Sequence, residues 1–183
     1  NVKIHDKVKN IIIYSDDANY LKNKQKIFTQ GNSKAINLDD DITIKANNFD
    51  YDKVLNVLNA FINVEIRDPK QNFELNTDEI TYYKNEEKIF TKGVTTGLLE
   101  KKYNFNSKDL FLDRNLMILS SSQKSSIIDN KSNYYELDEF TYNLNTEFVK
   151  GKNVKIITNK NSENIGSDEY FFTDSFIDLK NQN

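Results

Sequence analysis

The chain has 183 residues, 37% hydrophobic and 29% charged, enough for one sizeable core and too few for two comfortable domains. Its 25 basic and 28 acidic residues are spread along the whole length, for a net charge of −3, with no basic stripe; this excludes nucleic acid as a partner. Cysteine is absent, which excludes disulfides and thiolate metal sites, and no apolar run approaches the roughly 18 residues that span a bilayer.

The first residues, 1–6, do not resemble a signal peptide. From there, Ile11, Ile13 and Ser15 alternate with outward residues at the period of a half-buried strand. Asp16 and Asp17 break the alternation, and Ala18 and Tyr20 resume it one step out of phase, as a bulge or corner does. Polar residues 22–25 make a turn, and Ile27, Thr29 and Gly31 begin a return strand. In the next stretch the inward set is Ile44, Ala46, Phe49, Tyr51, Leu58, Ala60, Val64 and Ile66. Phe73, Leu75, Ile80, Tyr82, Ile89 and Val94 follow, then Leu110, Leu112, Leu119, Leu137, Phe140, Tyr142 and Phe148. Pro69 falls in a connection between strands, where proline is tolerated.

These segments are copies of one another. Tyr20, Tyr51 and Tyr82 lie 31 positions apart, and residues 1–31 laid on 63–93 match at 14 positions without a gap. Weaker copies continue around Leu112, Tyr142 and residues 173–178, so the expectation is one domain over 1–183. Such a unit cannot bury its apolar face alone, and its neighbours must stack. The predicted fold is therefore all-β, a solenoid or jelly-roll of stacked repeats whose inner faces form one continuous apolar channel. Gly31, Gly93 and Gly151 recur near the same point, where a bend or a close backbone approach favours glycine. Asn1 is in phase with Asn32 and Asn63, so the chain starts inside a unit, as a mature or truncated piece of a longer chain would.

Candidate chemistry is sparse. His5 stands alone and reads as a surface residue. Asp39, Asp40 and Asp41 lack the spacing of a calcium loop and read as a solvated turn. The pairs Asp16/Asp17 and Asp78/Glu79 recur at one phase, which makes them corner residues rather than an acid–base pair. Ser120–Ser122 and Ser125–Ser126 have no candidate base, and there is no glycine-rich phosphate loop. The expectation is a protein that is not an enzyme and holds neither cofactor nor metal.

The repeated pattern apolar-x-Ser/Ala/Thr-Asp-x-apolar-x-Tyr, followed by Ile-x-Thr-x-Gly-Asn, resembles the OstA family across essentially the whole chain. Residues 136–142, 149–154 and 167–172 are most similar to the N-terminal domain of the lipopolysaccharide-assembly protein LptD. The resemblance implies an open antiparallel, V-shaped jelly-roll (β-taco) with a uniform apolar trough, in the periplasm of a Gram-negative bacterium, attached to the outer membrane if LptD-like, that moves lipopolysaccharide. The groove shelters the lipid A acyl chains, and its expected lining is Ile13, Ala18, Tyr20, Ile27, Ile44, Ala46, Phe49, Tyr51, Leu58, Ala60, Leu75, Ile80, Tyr82, Ile89, Leu110, Leu112, Leu119, Leu137, Phe140, Tyr142 and Phe148. Arg67, Arg114 or scattered lysines would meet phosphates at the rim. The partners implied are an LptA-like domain joined by edge-strand pairing at Val2 and Ile4, and an outer-membrane barrel with its lipoprotein. The LptD cysteines that link this domain to the barrel have no counterpart here, so that redox control does not carry over. The alternatives are a free LptA-like periplasmic bridge and a structural or adhesive β-solenoid that carries no lipid.

Overall fold

A computed structural model describes residues 1–160 and 166–181. Every pairing between its seventeen strands is antiparallel, and no described residue is helical. The strands sort into two sheets joined along one side. The first sheet runs β1 (Val2–Asp6), β2 (Ile11–Ser15), then halves of β4 (Lys26–Asn37), β5 (Thr43–Asp52), β6 (Val57–Asp68) and β7 (Phe73–Tyr83). It continues through β9 (Val94–Leu99), β10 (Tyr103–Lys108), β13 (Ser125–Ile128) and β14 (Tyr134–Leu137) to halves of β16 (Phe148–Ile157) and β17 (Glu169–Asp178). The second sheet starts at β3 (Asp17–Leu21) and takes the other halves of β4 to β7. It then passes through β8 (Lys88–Lys92), β11 (Phe111–Asp113), β12 (Ile118–Ser121) and β15 (Glu139–Asn143) to β16 and β17. Each long strand thus belongs to both sheets and bends between them. The architecture is the open antiparallel jelly-roll that the resemblance implies.

The bend is made by unpaired residues. Register shifts lie between Gln30 and Ser33, Lys45 and Asn48, and Phe61 and Val64, where one extra residue lets the chain turn without losing its buried face. The backbone turns through the left-handed region at Gly31 (φ 76°) and Gly93 (φ 94°), which only glycine enters without cost. A Cβ on either would also meet a carboxylate oxygen at 2.7 Å, that of Asp16 or Asp78. These are the corner carboxylates read from the sequence. Asp16 accepts from Asn32 Nδ2 at 2.7 Å, and Asp138 accepts from Asn153 Nδ2 at 2.8 Å. Ile62 occupies the same phase as the two glycines, at φ 66°, with a branched side chain that this conformation disfavours.

One core lies between the sheets, built from rows of inward residues in register across the strands. The row in the second sheet passes from Tyr20 through Ile27, Tyr51, Leu58, Tyr82, Ile89, Leu112, Leu119, Tyr142 and Val149 to Ile177. Its counterpart in the first sheet passes from Ile4 through Ile13, Ala35, Ile44, Ile66, Leu75, Gly97, Phe105, Ile127, Tyr135 and Ile156 to Tyr170. The repeat in sequence is therefore a repeat in space, one unit for each pair of strand levels.

Candidate functional site

The candidate site is the space between the sheets and the long side along which, among the described residues, no strand pairs with another. Most of the expected lining faces inward and is buried: Ile13, Ile27, Ile44, Ala46, Phe49, Tyr51, Leu58, Ala60, Leu75, Ile80, Tyr82, Ile89, Leu110, Leu112, Leu119, Leu137, Phe140 and Tyr142. Ala18 and Tyr20 lie on the inner rows, but their strand β3 has a neighbour on one side only, which leaves Tyr20 45% exposed. Two assignments are corrected. Phe148 points outward and is 44% exposed, because its neighbour Val149 holds the inward phase set by Tyr142 and Ile177. Val94 also points out, since the corner at Gly93 moves the phase by one and buries Thr95 instead.

The interior is not uniformly apolar. On the inside of the bend runs a seam of buried hydroxyls: Thr29 to Ser33 at 2.6 Å, Ser33 to Ser15 at 3.2 Å, Thr91 to Thr95 at 2.8 Å, Thr95 to Thr77 at 2.9 Å and Ser107 to Ser125 at 2.7 Å. The unit places a small hydroxyl where the two sheets converge, and the hydroxyls satisfy one another there. The greasy part of the interior lies between this seam and the mouth. It is closely packed in the described structure. The void bounded by Leu99, Tyr103, Phe105, Leu119, Ile127, Phe140, Tyr142 and Leu179 has a volume of about 10 Å³, room for at most one water molecule. An acyl chain fits only if the sheets part.

What holds them together is the main finding at this site. Two rows of hairpin turns flank the mouth, one from each sheet. Within a row the turns are tied by backbone hydrogen bonds, as from Leu38 N to Asn10 O in one and from Lys53 N to Gln25 O, Lys84 N to Asn56 O and Arg114 N to Glu87 O in the other. Between the rows, the described backbone donors and acceptors make no bond to one another, and side chains do the bridging. Lys53 Nζ meets Asp6 Oδ2 at 3.3 Å. One turn on, Lys84 donates to Asp39 Oδ2 at 3.0 Å and to the carbonyl of Lys9. At the third level Arg114 reaches Asp40 at 2.7 Å and Asp68 at 2.8 Å on the opposite rim, and Glu87 and the Tyr82 hydroxyl on its own. The fourth level reverses the charges. Glu147 accepts from Tyr103 Oη at 3.2 Å and lies 3.8 Å from Lys102 Nζ, while Tyr103 also donates to Leu179 O.

Electrostatics follows from this geometry. Burial works against the charge on Arg114, yet Tyr82, Asp68 and Asp40 outweigh it and hold the guanidinium above its ordinary pKa. The hydrogen bonds from Lys84 and Asn10 hold Asp39 below the usual carboxylate range. Burial, reinforced by Glu147, pushes Glu100 up. Burial also raises the phenols of Tyr51, Tyr82, Tyr103 and Tyr142, so they stay neutral, and the first three donate to Asn56, Glu87 and Glu147. Asp39 and Asp40 lie in the turn that the sequence indicates, with Asp39 exposed, and serve there as clasp residues as well. Arg114 does sit at the rim, but enclosed, while Arg67 lies on an outer face beside Glu74 at 3.1 Å. The described residues contain no cluster of three or more metal-ligating side chains.

The fold and the site together define a class: an antiparallel jelly-roll whose two sheets are continuous along one side and clasped along the other. No protein-family model and no curated protein matches the chain. Among solved structures it is similar to LptH of Pseudomonas aeruginosa, described as the LptA-homologous periplasmic component of a lipopolysaccharide transport device. The two share 10% identity over 91% of this chain and 98% of that one, with a TM-score of 0.33. An overlap that loose carries no argument about what this chain binds.

Proposed function

We propose that this chain is a non-enzymatic periplasmic carrier domain that shelters the acyl chains of lipopolysaccharide on their way to the outer membrane. One observation carries the proposal: two rows of inward, mostly apolar side chains face each other along the stack, interrupted at Gly97, and among the described residues no backbone–backbone bond joins the sheets on one side. Burying a methylene stabilises by roughly 0.8 kcal/mol, so keeping a chain of about 12 carbons out of water is worth about 10 kcal/mol. Parting the clasped side costs ion pairs and packing but no backbone ladder. The finer assignment, to an LptD-like N-terminal domain rather than a free LptA-like bridge, rests on the resemblance of residues 136–142, 149–154 and 167–172. In this reading Val2 and Ile4 on β1, which pairs with β2 alone among the described residues, receive a strand from an LptA-like domain. The outer-membrane barrel and its lipoprotein lie at the other end.

A second reading, a structural β-solenoid without lipid, is favoured by the close packing of the interior around Leu75, Leu99, Phe105, Leu119 and Tyr142. A photoreactive residue at Tyr51 separates the two. Ultraviolet crosslinking in cells should capture lipopolysaccharide at Tyr51 and not at outward Phe148. Equal capture at both positions, or none at Tyr51, selects the structural reading.

A further inference from the structure

The cations at the mouth are not scattered. Lys22, Lys53 and Lys84 recur 31 residues apart, and Arg114 stands one residue short of the next step. Among them, Lys53, Lys84 and Arg114 all sit on the turns of the second sheet and face carboxylates of the first: Asp6, Asp39, Asp40 and Asp68. A clasp needs no such segregation, since mixed signs on both rims would hold as well. The segregation means that when the sheets part, Lys53 and Lys84 lose their carboxylates and Arg114 keeps only Glu87 of its own rim, while Asp6, Asp39, Asp40 and Asp68 lose their cations, each beside an apolar lane. For groups as enclosed as Lys84 and Arg114, losing a partner without replacement is costly. Whatever opens the mouth must therefore bring both an apolar body, to fill the space between the sheets, and anionic groups, to take over the cations.

We propose that Lys53, Lys84 and Arg114 form an anionic-headgroup site that works by exchange. An amphiphile bearing phosphate enters tail first between the sheets, and its phosphate replaces the opposite-rim carboxylates on these three side chains. The inference rests on the sheltering role proposed above and adds the chemistry and the side of recognition. Phosphate suits the task because Arg and Lys make charge-assisted bonds to it at least as strong as those to carboxylate. The freed carboxylates repel a phosphate, so the headgroup settles on the second-sheet rim alone. An amphiphile with a neutral head leaves the cations bare and gains nothing at the rim. The reversed pair at Glu147 and Lys102 sets the limit of the site, since the cation there, Lys102, stands on the opposite rim.

Binding of dodecyl phosphate, dodecanol and inorganic phosphate to the full chain, read by calorimetry, tests the exchange. Dodecyl phosphate should bind about 10-fold more tightly than dodecanol, the equivalent of one retained charge-assisted bond. Lys84→Met should bring the two to within about 2-fold, Lys84→Arg should keep the difference, and Asp39→Asn should tighten dodecyl phosphate by about 3-fold. Thermal unfolding of each variant verifies that it is folded, and Asp39→Asn, at an exposed carboxylate, leaves Lys84 and Arg114 in place. Equal binding of both amphiphiles to the native chain, or the same preference in Lys84→Met, overturns the exchange and leaves the sheltering role standing. Inorganic phosphate binding as tightly as dodecyl phosphate makes this a free-anion site and overturns the inference too. Failure of both amphiphiles to bind overturns the sheltering role itself.

Discussion

The bend and the mouth join the same two sheets by opposite means. At the bend the chain itself passes from one sheet to the other, turning at Gly31, Ile62 and Gly93, with carboxylates tucked against the two glycines and hydroxyls bonded to one another inside. At the mouth the turns of each rim are linked by backbone bonds along the stack, and the crossing is left to Lys53, Lys84, Arg114 and Glu147. The contrast shows how a stack of identical units can keep its strand pairing intact while one side gives way. The bend is covalent and conformational, and insensitive to salt. The mouth is ionic, and its exposed rungs weaken as ionic strength rises.

The largest effect should come from the most enclosed rung. Arg114→Met leaves Asp68, with a side chain 0% exposed, as a buried charge without its guanidinium, and should cost about 3–5 kcal/mol in urea unfolding. Pairing it with Asp68→Asn, which removes the unpaired charge and keeps an oxygen for the N–H groups of Lys70 and Gln71, should recover much of that loss; no recovery would mean that packing, not charge, closes the mouth. Next, at the bend, Gly93→Ala forces a Cβ into a left-handed backbone and against Asp78, for a loss of about 1–3 kcal/mol. The opposite substitution, Ile62→Gly, should raise stability by about 1 kcal/mol by relieving the same conformation at an exposed residue. If it destabilises, the strain at the bend is not where the φ angles place it.

The smallest effect is the most diagnostic of the mouth. Asp39 is held below its ordinary pKa, so the unfolded chain binds its proton first as pH falls. The stabilisation from this rung is complete above the ordinary aspartate pKa and is lost as pH drops through the folded value. Asp39→Asn should flatten that acid limb, while its amide oxygen can still accept from Lys84 and keeps the loss at neutral pH small. Glu100 carries the opposite sign. Its raised pKa means that stability falls as pH rises from the ordinary glutamate range to the folded value, and Glu100→Gln should remove this decline.

Much of this architecture was legible in the sequence, and the limits have physical causes. The 31-residue period, the inner rows and the corner at Asp16 could be read because side-chain alternation and turn chemistry act over a few neighbours. Phe148 was misplaced because a four-residue turn precedes it, and aromatic character alone does not fix the phase after a turn. The hydroxyl seam left a trace, Ser15 and Thr29 at inward positions, whose meaning appears only when the sheets converge on it. The clasp could not be read, although its phase was present in Lys22, Lys53 and Lys84. Asp39 and Lys84 are 45 positions apart, and which rim faces which depends on the fold. Alternation also says which way a side chain points, not how far away the opposing sheet lies, so the closely packed interior had no sequence signature.

The reversed fourth rung bears on how the chain finds its own alignment. Units that share 14 of 31 residues are near-interchangeable, and near-identical units invite docking one level out of place. Sliding one rim along the other by a single unit would set Glu147 beside Asp68, or Arg114 beside Lys102, two clashes of like charge. The polarity change therefore works as a vernier mark, penalising misthreaded forms that the apolar rows, being alike at every level, would accept.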